Sequence, residues 1–243
     1  MNLNVLEQAK QILLRDKEQN AYPLLLIKEN LIDECQIYRD SVYLHDGVNG
    51  KYCYAADKFE EFCFLYDQVR HRNDGLVSLV THDRFSDDIA RWDKTLTITR
   101  TYMLQAISSH NEAPPPEGVQ LAPVTSDLID WILSVYDHPE LSGDFIINRI
   151  TEGPSVSAWS GERPVGFFLT HSAAELGPVY IDPGFRGSGL SEALYSAMIR
   201  QLSGHEKPVL FVYTENYRSL NWLIRMGCVQ AKQHVIWFYR EDY

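Results

Sequence analysis

Apolar residues recur at helical spacing over residues 5–14, with charged and amide side chains between them, and this spacing predicts an amphipathic helix. The continuous apolar run at 22–27 reads instead as an extended segment. Two β-rich stretches, 36–45 and 51–55, flank Asp46-Gly47-Val48-Asn49-Gly50. A loop containing Gly and Asn between such stretches predicts a hairpin. Residues 59–69 return to helical spacing, 87–90 mark a short helical segment, and LTITRTYML at 96–104 alternates as a strand does.

A composition break follows at 108–118, SSHNEAPPPEG, where consecutive prolines dictate a stiff, extended linker. The expected organisation is therefore an N-terminal α/β domain over 1–110, a Pro-rich linker over 111–118 and a second domain over 119–243. In the second domain a strand is expected at 118–124, and then a helix capped by Ser126 and running to about residue 137. Strands at 155–160 and 164–172 are joined by the turn Gly161-Glu162-Arg163, and a third follows at 174–181. Next come the glycine-rich segment Asp182-Pro183-Gly184-Phe185-Arg186-Gly187-Ser188-Gly189-Leu190-Ser191 and a helix over about 188–202. A strand at 208–214, a helix at 216–226 ended by Gly227, and an aromatic-rich strand at 234–239 complete the chain. The fold class is mixed α/β (α+β).

Composition narrows the function. With 45% hydrophobic and 23% charged residues the chain has the make-up of an ordinary globular protein. Its 33 acidic and 22 basic residues give a net charge of -11, a sign that repels phosphate backbones, so nucleic acid is not an expected partner. No apolar run is long enough to span a bilayer, and the first twenty or so residues have neither a secretory core nor an Arg-rich, acid-poor transit composition. A cytoplasmic location without membrane contact is expected, with a mitochondrial one as the alternative. The four cysteines, Cys35, Cys53, Cys63 and Cys228, form no CxxC pair and no zinc-spaced cluster, so neither a disulfide framework nor a metal is expected. His71 and His82 lie among polar neighbours and read as surface residues, and the first half holds no catalytic constellation.

The chemistry gathers around the glycine segment. A glycine-rich loop running into a helix exposes the unsatisfied N–H groups of the first turn, and the helix dipole adds partial positive charge, which together suit a pyrophosphate. Gly187 and Gly189 admit close backbone approach and Arg186 adds fixed charge. In the strand just before, Pro178 cannot donate to a ladder, so a bulge or splay is expected at Gly177-Pro178. A splayed pair of strands leaves backbone groups for an extended, amide-containing ligand. Coenzyme A carries a pyrophosphate and a two-amide pantetheine arm in series.

On these residues the chain resembles the GNAT superfamily of N-acyltransferases. Residues 179–190 are similar to its acyl-CoA loop, R/Q-x-x-G-x-G/A, and Asn216-Tyr217-Arg218-Ser219 with the later Met226-Gly227-Cys228 resembles its second motif. Within the superfamily, Phe185 to Leu190, Glu175 and the preceding half-chain look like the glycine N-acyltransferase-like group. The resemblance implies a GNAT fold with a central mixed, mostly antiparallel sheet flanked by helices, preceded by an α/β half that reads as a degenerate copy of it. It also implies acetyl-CoA or another acyl-CoA as co-substrate, held in a slot between the strands at 174–181 and 208–214. By position, the N–H groups of Arg186, Gly187, Ser188, Gly189, Leu190 and Ser191 hold the pyrophosphate. The backbone at Val179 and Ile181 holds the pantetheine arm, and Asn216 and Ser219 hold its distal part.

The implied activity is acyl transfer from the thioester to a primary amine, a small amino acid such as glycine. Glu175 is the implied general base, its carboxylate tuned by desolvation; His171 is the runner-up. Two departures stand out: Ser191 occupies a position usually Gly or Ala, and Leu223 stands where many members place a proton-donating tyrosine. A thiolate leaves without much help, since thiol pKa values lie near 8.5, and Tyr213 and Tyr217 are alternative donors. Arg218 reads as an exposed helix arginine, and Cys228, Trp222 and Trp237 as packing residues. Two other readings share the same nucleotide grip, a protein or peptide N-acetyltransferase and a non-catalytic acyl-CoA-binding regulatory module. Oligomeric state is not encoded in any of these features.

Overall fold

The computed structural model describes residues 3–72, 77–106, 113–136, 142–202 and 207–240. The start of the predicted linker, at 111–112, and the end of the helix expected to run to 137 lie outside them. The chain forms two compact units, one of residues 1–105 with 209–243 and one of residues 106–208.

The first unit opens with α1 (Leu3–Leu13), whose Ala9 and Leu13 are buried. The run at 22–27 is helical, not extended: α2 spans Ala21–Lys28. Leucines favour helix intrinsically and Pro23 sits in the first turn, where its missing N–H costs nothing. Burial on nearly all sides erased the amphipathic signal, since Tyr22, Leu25 and Leu26 are all enclosed. Next come β1 (Ile32–Tyr38), β2 (Ser41–Asp46) and β3 (Lys51–Ala55). The predicted hairpin is β2 and β3, but residues 36–45 are not one strand. A tight turn at Arg39, with φ +53°, folds β1 back onto β2. A non-glycine residue in that region carries no sequence signature.

The helix α3 (Phe59–Asp67), the strand β4 (Val77–Val80), the helix α4 (Ser86–Trp92) and the strand β5 (Leu96–Gln105) complete this segment. Tyr43, Tyr54, Phe62, Tyr66 and Phe85 form its aromatic core. Full burial of an apolar side chain such as Phe62 is worth about 1.5–3 kcal/mol against exposure.

The second unit is an antiparallel meander. Its strands are β6 (Val119–Ala122), β7 (Val156–Ser160), β8 (Arg163–Ser172) and β9 (Glu175–Ile181), paired in the order β9-β8-β7-β6. Between β6 and β7 lie α5 (Ile129–Val135), entered through a 3-10 turn at Ser126–Leu128, and α6 (Gly143–Glu152). Thr125, not Ser126, precedes that turn, and no side chain caps it. After β9 comes α7 (Leu190–Gln201). Along β8, Phe167 and Leu169 pack against α5 and α6, while Gly166, on the alternate face, lies against Leu194 of α7. Helices thus cover both faces.

Residues 209–243 return to the first unit as β10 (Val209–Tyr213), α8 (Tyr217–Arg225), β11 (Val229–Gln230) and β12 (Val235–Arg240). The last strand lies between β4 and β5, antiparallel to both, and β10 pairs with the other edge of β5. With β3 and β4 parallel, the sheet of this unit is mixed, in the order β1-β2-β3-β4-β12-β5-β10. The C-terminal segment therefore completes the sheet begun by the N-terminal one, so the compact units do not follow a single cut at the prolines. No helix among the described residues is long and apolar enough to cross a membrane.

Candidate functional site

The strand β9 pairs with β8 out of regular register. Phe168 faces Val179 and Thr170 faces Leu176, so Gly177 and Pro178 together oppose only Leu169. This is the expected bulge, and the Gly177-Pro178 peptide is cis. A second irregularity between Thr170 and Ser172 leaves His171 as the extra residue of β8. The two irregularities meet: a Cβ on Gly177, whose φ is +130°, would come within 3.1 Å of the His171 ring. His171 also lies 5.7 Å, centroid to centroid, from the ring of Phe145 on α6. Glu175 begins β9 opposite Ser172 and is only 5% exposed. Val179 and Ile181 follow, half-buried, opposite Phe168 and Gly166.

Beyond β9 the chain turns sharply. The Asp182 carboxylate accepts a hydrogen bond from the Gly184 N–H at 2.8 Å and pairs with the Arg163 guanidinium. Phe185 accepts from the hydroxyl of Ser188 at 2.7 Å. Gly187 and Gly189 take φ values of +80° and +91°, which explains glycine at both places. A Cβ at either would meet nothing within 4 Å, so both backbones face open space.

Six consecutive N–H groups were expected to face a ligand. Those of Arg186 and Ser188 donate, at 3.4 and 3.3 Å, to the carbonyls of Pro183 and Phe185. Those of Gly187, Gly189, Leu190 and Ser191 have no acceptor among the described residues. Leu190 is fully buried and anchors the entry to α7. Arg186 is exposed, and the Ser191 hydroxyl donates to Glu192 at 2.8 Å. The result is a set of four free donors, at Gly187, Gly189, Leu190 and Ser191, at the positive end of a 12-residue helix.

The second predicted motif belongs to the other compact unit. Asn216 is the N-cap of α8, its side-chain oxygen accepting from the Ser219 N–H at 3.1 Å. Leu223, Trp222 and Cys228 are buried, in keeping with packing roles, whereas Tyr213 and Tyr217 are 51% and 63% exposed. Arg218 and His71 are exposed. Trp237 packs edge-on against Phe211 and donates to Thr101 at 3.0 Å. His82 is a correction: it is buried, not at the surface, with Nε2 2.7 Å from the Ala56 carbonyl. Burial pulls its pKa below the ordinary histidine value. Among the described residues no group of three or more His, Cys, Asp and Glu side chains is placed to hold a metal ion.

The sequence reading missed α6 and with it Arg149. This side chain is 6% exposed, and its Nη2 contacts Asn148 and, at 3.1 Å, Glu152. The available signal was Ser142, a favoured helix-capping residue, followed by Phe145, Ile146 and Arg149 at helical spacing.

No protein-family model matches the chain, and no curated protein matches it. Solved structures do. A Drosophila melanogaster protein is similar over 99% of this chain and 97% of its own, with a TM-score of 0.70 and 11% identity. A GCN5-related N-acetyltransferase-like protein from Streptococcus suis matches at a TM-score of 0.59 and 14% identity, covering 96% of this chain and 99% of that one. A GCN5-related N-acetyltransferase from Kribbella flavida matches at 0.58 and 14%, covering 94% and 96%. The chain has the GNAT fold. At these identities the likeness is one of architecture, and it extends over both units of the GNAT-fold chain.

Proposed function

We propose that this chain is an acyl-CoA-dependent N-acyltransferase whose acceptor is a small primary amine of the amino-acid class, such as glycine. One observation carries the reading: the unsatisfied N–H groups of Gly187, Gly189, Leu190 and Ser191, arrayed at the start of α7 directly after the bulged strand β9. They supply donors to the CoA pyrophosphate, and each charge-assisted bond is worth about 1.5–3 kcal/mol, enough to hold a dianion on an acidic protein. The backbone of Val179 and Ile181 receives the pantetheine arm.

In the reaction the amine nitrogen attacks the thioester carbonyl carbon. Glu175 takes the proton the amine must lose, the carbon–sulfur bond breaks, and the thiolate leaves as CoA before acquiring a proton. Glu175 suits that role because it is withdrawn from water at the start of the bulged strand. Pro178 has no N–H and so takes no part in holding the oxyanion. No tyrosine is needed at Leu223, since a thiolate is a competent leaving group.

Glu175→Gln tests the assignment, because it keeps the shape and removes the base. Thiol release from acetyl-CoA with a panel of amino acids should fall about 10²–10⁴-fold, while acyl-CoA affinity is retained. An unchanged rate would remove Glu175 from the mechanism. Acyl-CoA binding by the unmodified protein without transfer to any amine would make it a binding module.

A further inference from the structure

We propose that Arg149 is the carboxylate-binding residue of the acceptor site, so that the amine accepted is an amino acid and not a simple alkylamine. The proposal rests on the acyltransferase reading above. A guanidinium brought out of water carries a large desolvation cost that only well-placed partners offset. Arg149 lies on the inward face of α6 with Ile146, and its side chain is 6% exposed. Only Nη2 is engaged, by the neutral Asn148 amide and by Glu152, itself 63% exposed on the solvent side. The hydrogens on Nε and Nη1 have no acceptor among the described residues. A planar anion is the natural complement of such donors, and a carboxylate is the smallest organic one.

Its position ties it to the reacting strands. Phe145, one turn earlier on α6, contacts His171; His171 covers Gly177; and Gly177 sits in the bulge of the strand that begins at Glu175. The Thr170 hydroxyl, opposite Leu176 at the same irregularity, is buried without a hydrogen-bond partner, and Gly153, one turn beyond Arg149, closes over it. The cation and the candidate base thus belong to one contiguous end of the second unit. An α-amino acid presents its carboxylate to the first and its amine to the second.

The test is a calorimetric titration of the full chain with glycine and, separately, glycinamide, each in the presence of saturating CoA, for the natural protein and for Arg149→Gln and Arg149→Lys. The expected result is saturable binding of glycine but not of glycinamide. Glycine affinity should fall about a hundredfold in Arg149→Gln and by at least about tenfold in Arg149→Lys, which keeps charge but loses the planar fork. Thermal unfolding of each variant identifies any that fails to fold, in which case the other carries the comparison. Equal binding of glycine and glycinamide, no binding of either, or full glycine affinity in a folded variant would overturn the proposal. Failure of the broader reading is separate: it is an absence of acyl-CoA binding, measured in the same cell before the acceptor is added.

Discussion

Single residues decide most of the chemistry, and glycine is the plainest case. Gly187 and Gly189 are glycine for a conformational reason, positive φ, and an added Cβ at either would meet open space. The sequence exposed this pair because the loop stands between a strand interrupted at Gly177-Pro178 and a helix. It hid others. His82 looked like a surface histidine between Thr81 and Asp83, yet it is buried against the Ala56 carbonyl, a long-range contact with no local trace. Its buried site disfavours the imidazolium and lowers the pKa in the folded state, so the unfolded chain binds the proton more readily. Stability from this residue is fully present above about pH 6.5 and is lost as the pH falls through the depressed folded value. Denaturant unfolding at pH 7.5 and pH 5.5 should show this acid-side loss, and His82→Gln should reduce it. A pH slope unchanged in that variant would show the histidine titrating as it does when unfolded. Glu34 acts in a more acidic window, its carboxyl held below its usual value chiefly by hydrogen bonds from Arg72, so its contribution fades only as that lower pKa is crossed.

At the scale of elements, legibility followed the strength of one-dimensional patterns. The strand β5 alternates, the β7–β8 and β8–β9 turns carry Gly161 or follow Ser172, and α8 is bracketed by Asn216 and Gly227, so each was readable. The helix α2 was not, because burial reaches nearly all of its sides and period gives way to a solid apolar run. The short β4 and the helix α6 also escaped, the latter because its inward face mixes Ile146 with Arg149. The cap of α8 yields a prediction at this scale. Asn216 holds the Ser219 N–H, so Asn216→Ala should cost about 1 kcal/mol of stability in chemical denaturation. A loss near zero would mean that water replaces the cap fully.

For the whole molecule, the linear sequence suggested two domains divided at the prolines, and the motifs suggested one site in the second. The compact units divide differently, because β12 inserts between β4 and β5 and brings α8 with it into the first unit. Strand exchange of this kind is invisible to local patterning: β12 reads as an ordinary aromatic strand, and only its partners reveal where it belongs. The glycine segment was legible as a loop leading into a helix because it is contiguous, from Asp182 to Ser191; the surroundings of Arg149 were not, because the contacts from its helix run through Phe145, His171 and Gly177 rather than along the chain. At 11–14% identity the solved structures establish the fold, and the activity has to come from the residues.

The most direct test of the central claim is calorimetry with acetyl-CoA on the intact chain, beside the Gly187→Ala/Gly189→Ala variant. Added methyl groups there clash with no protein atom but enter the space proposed for a diphosphate, and they oppose the positive φ values by about 1–2 kcal/mol each. Saturable binding is expected for the natural protein, with at least about a tenfold loss of affinity in a still-folded variant. No heat with acetyl-CoA, or full affinity in the folded variant, would contradict it.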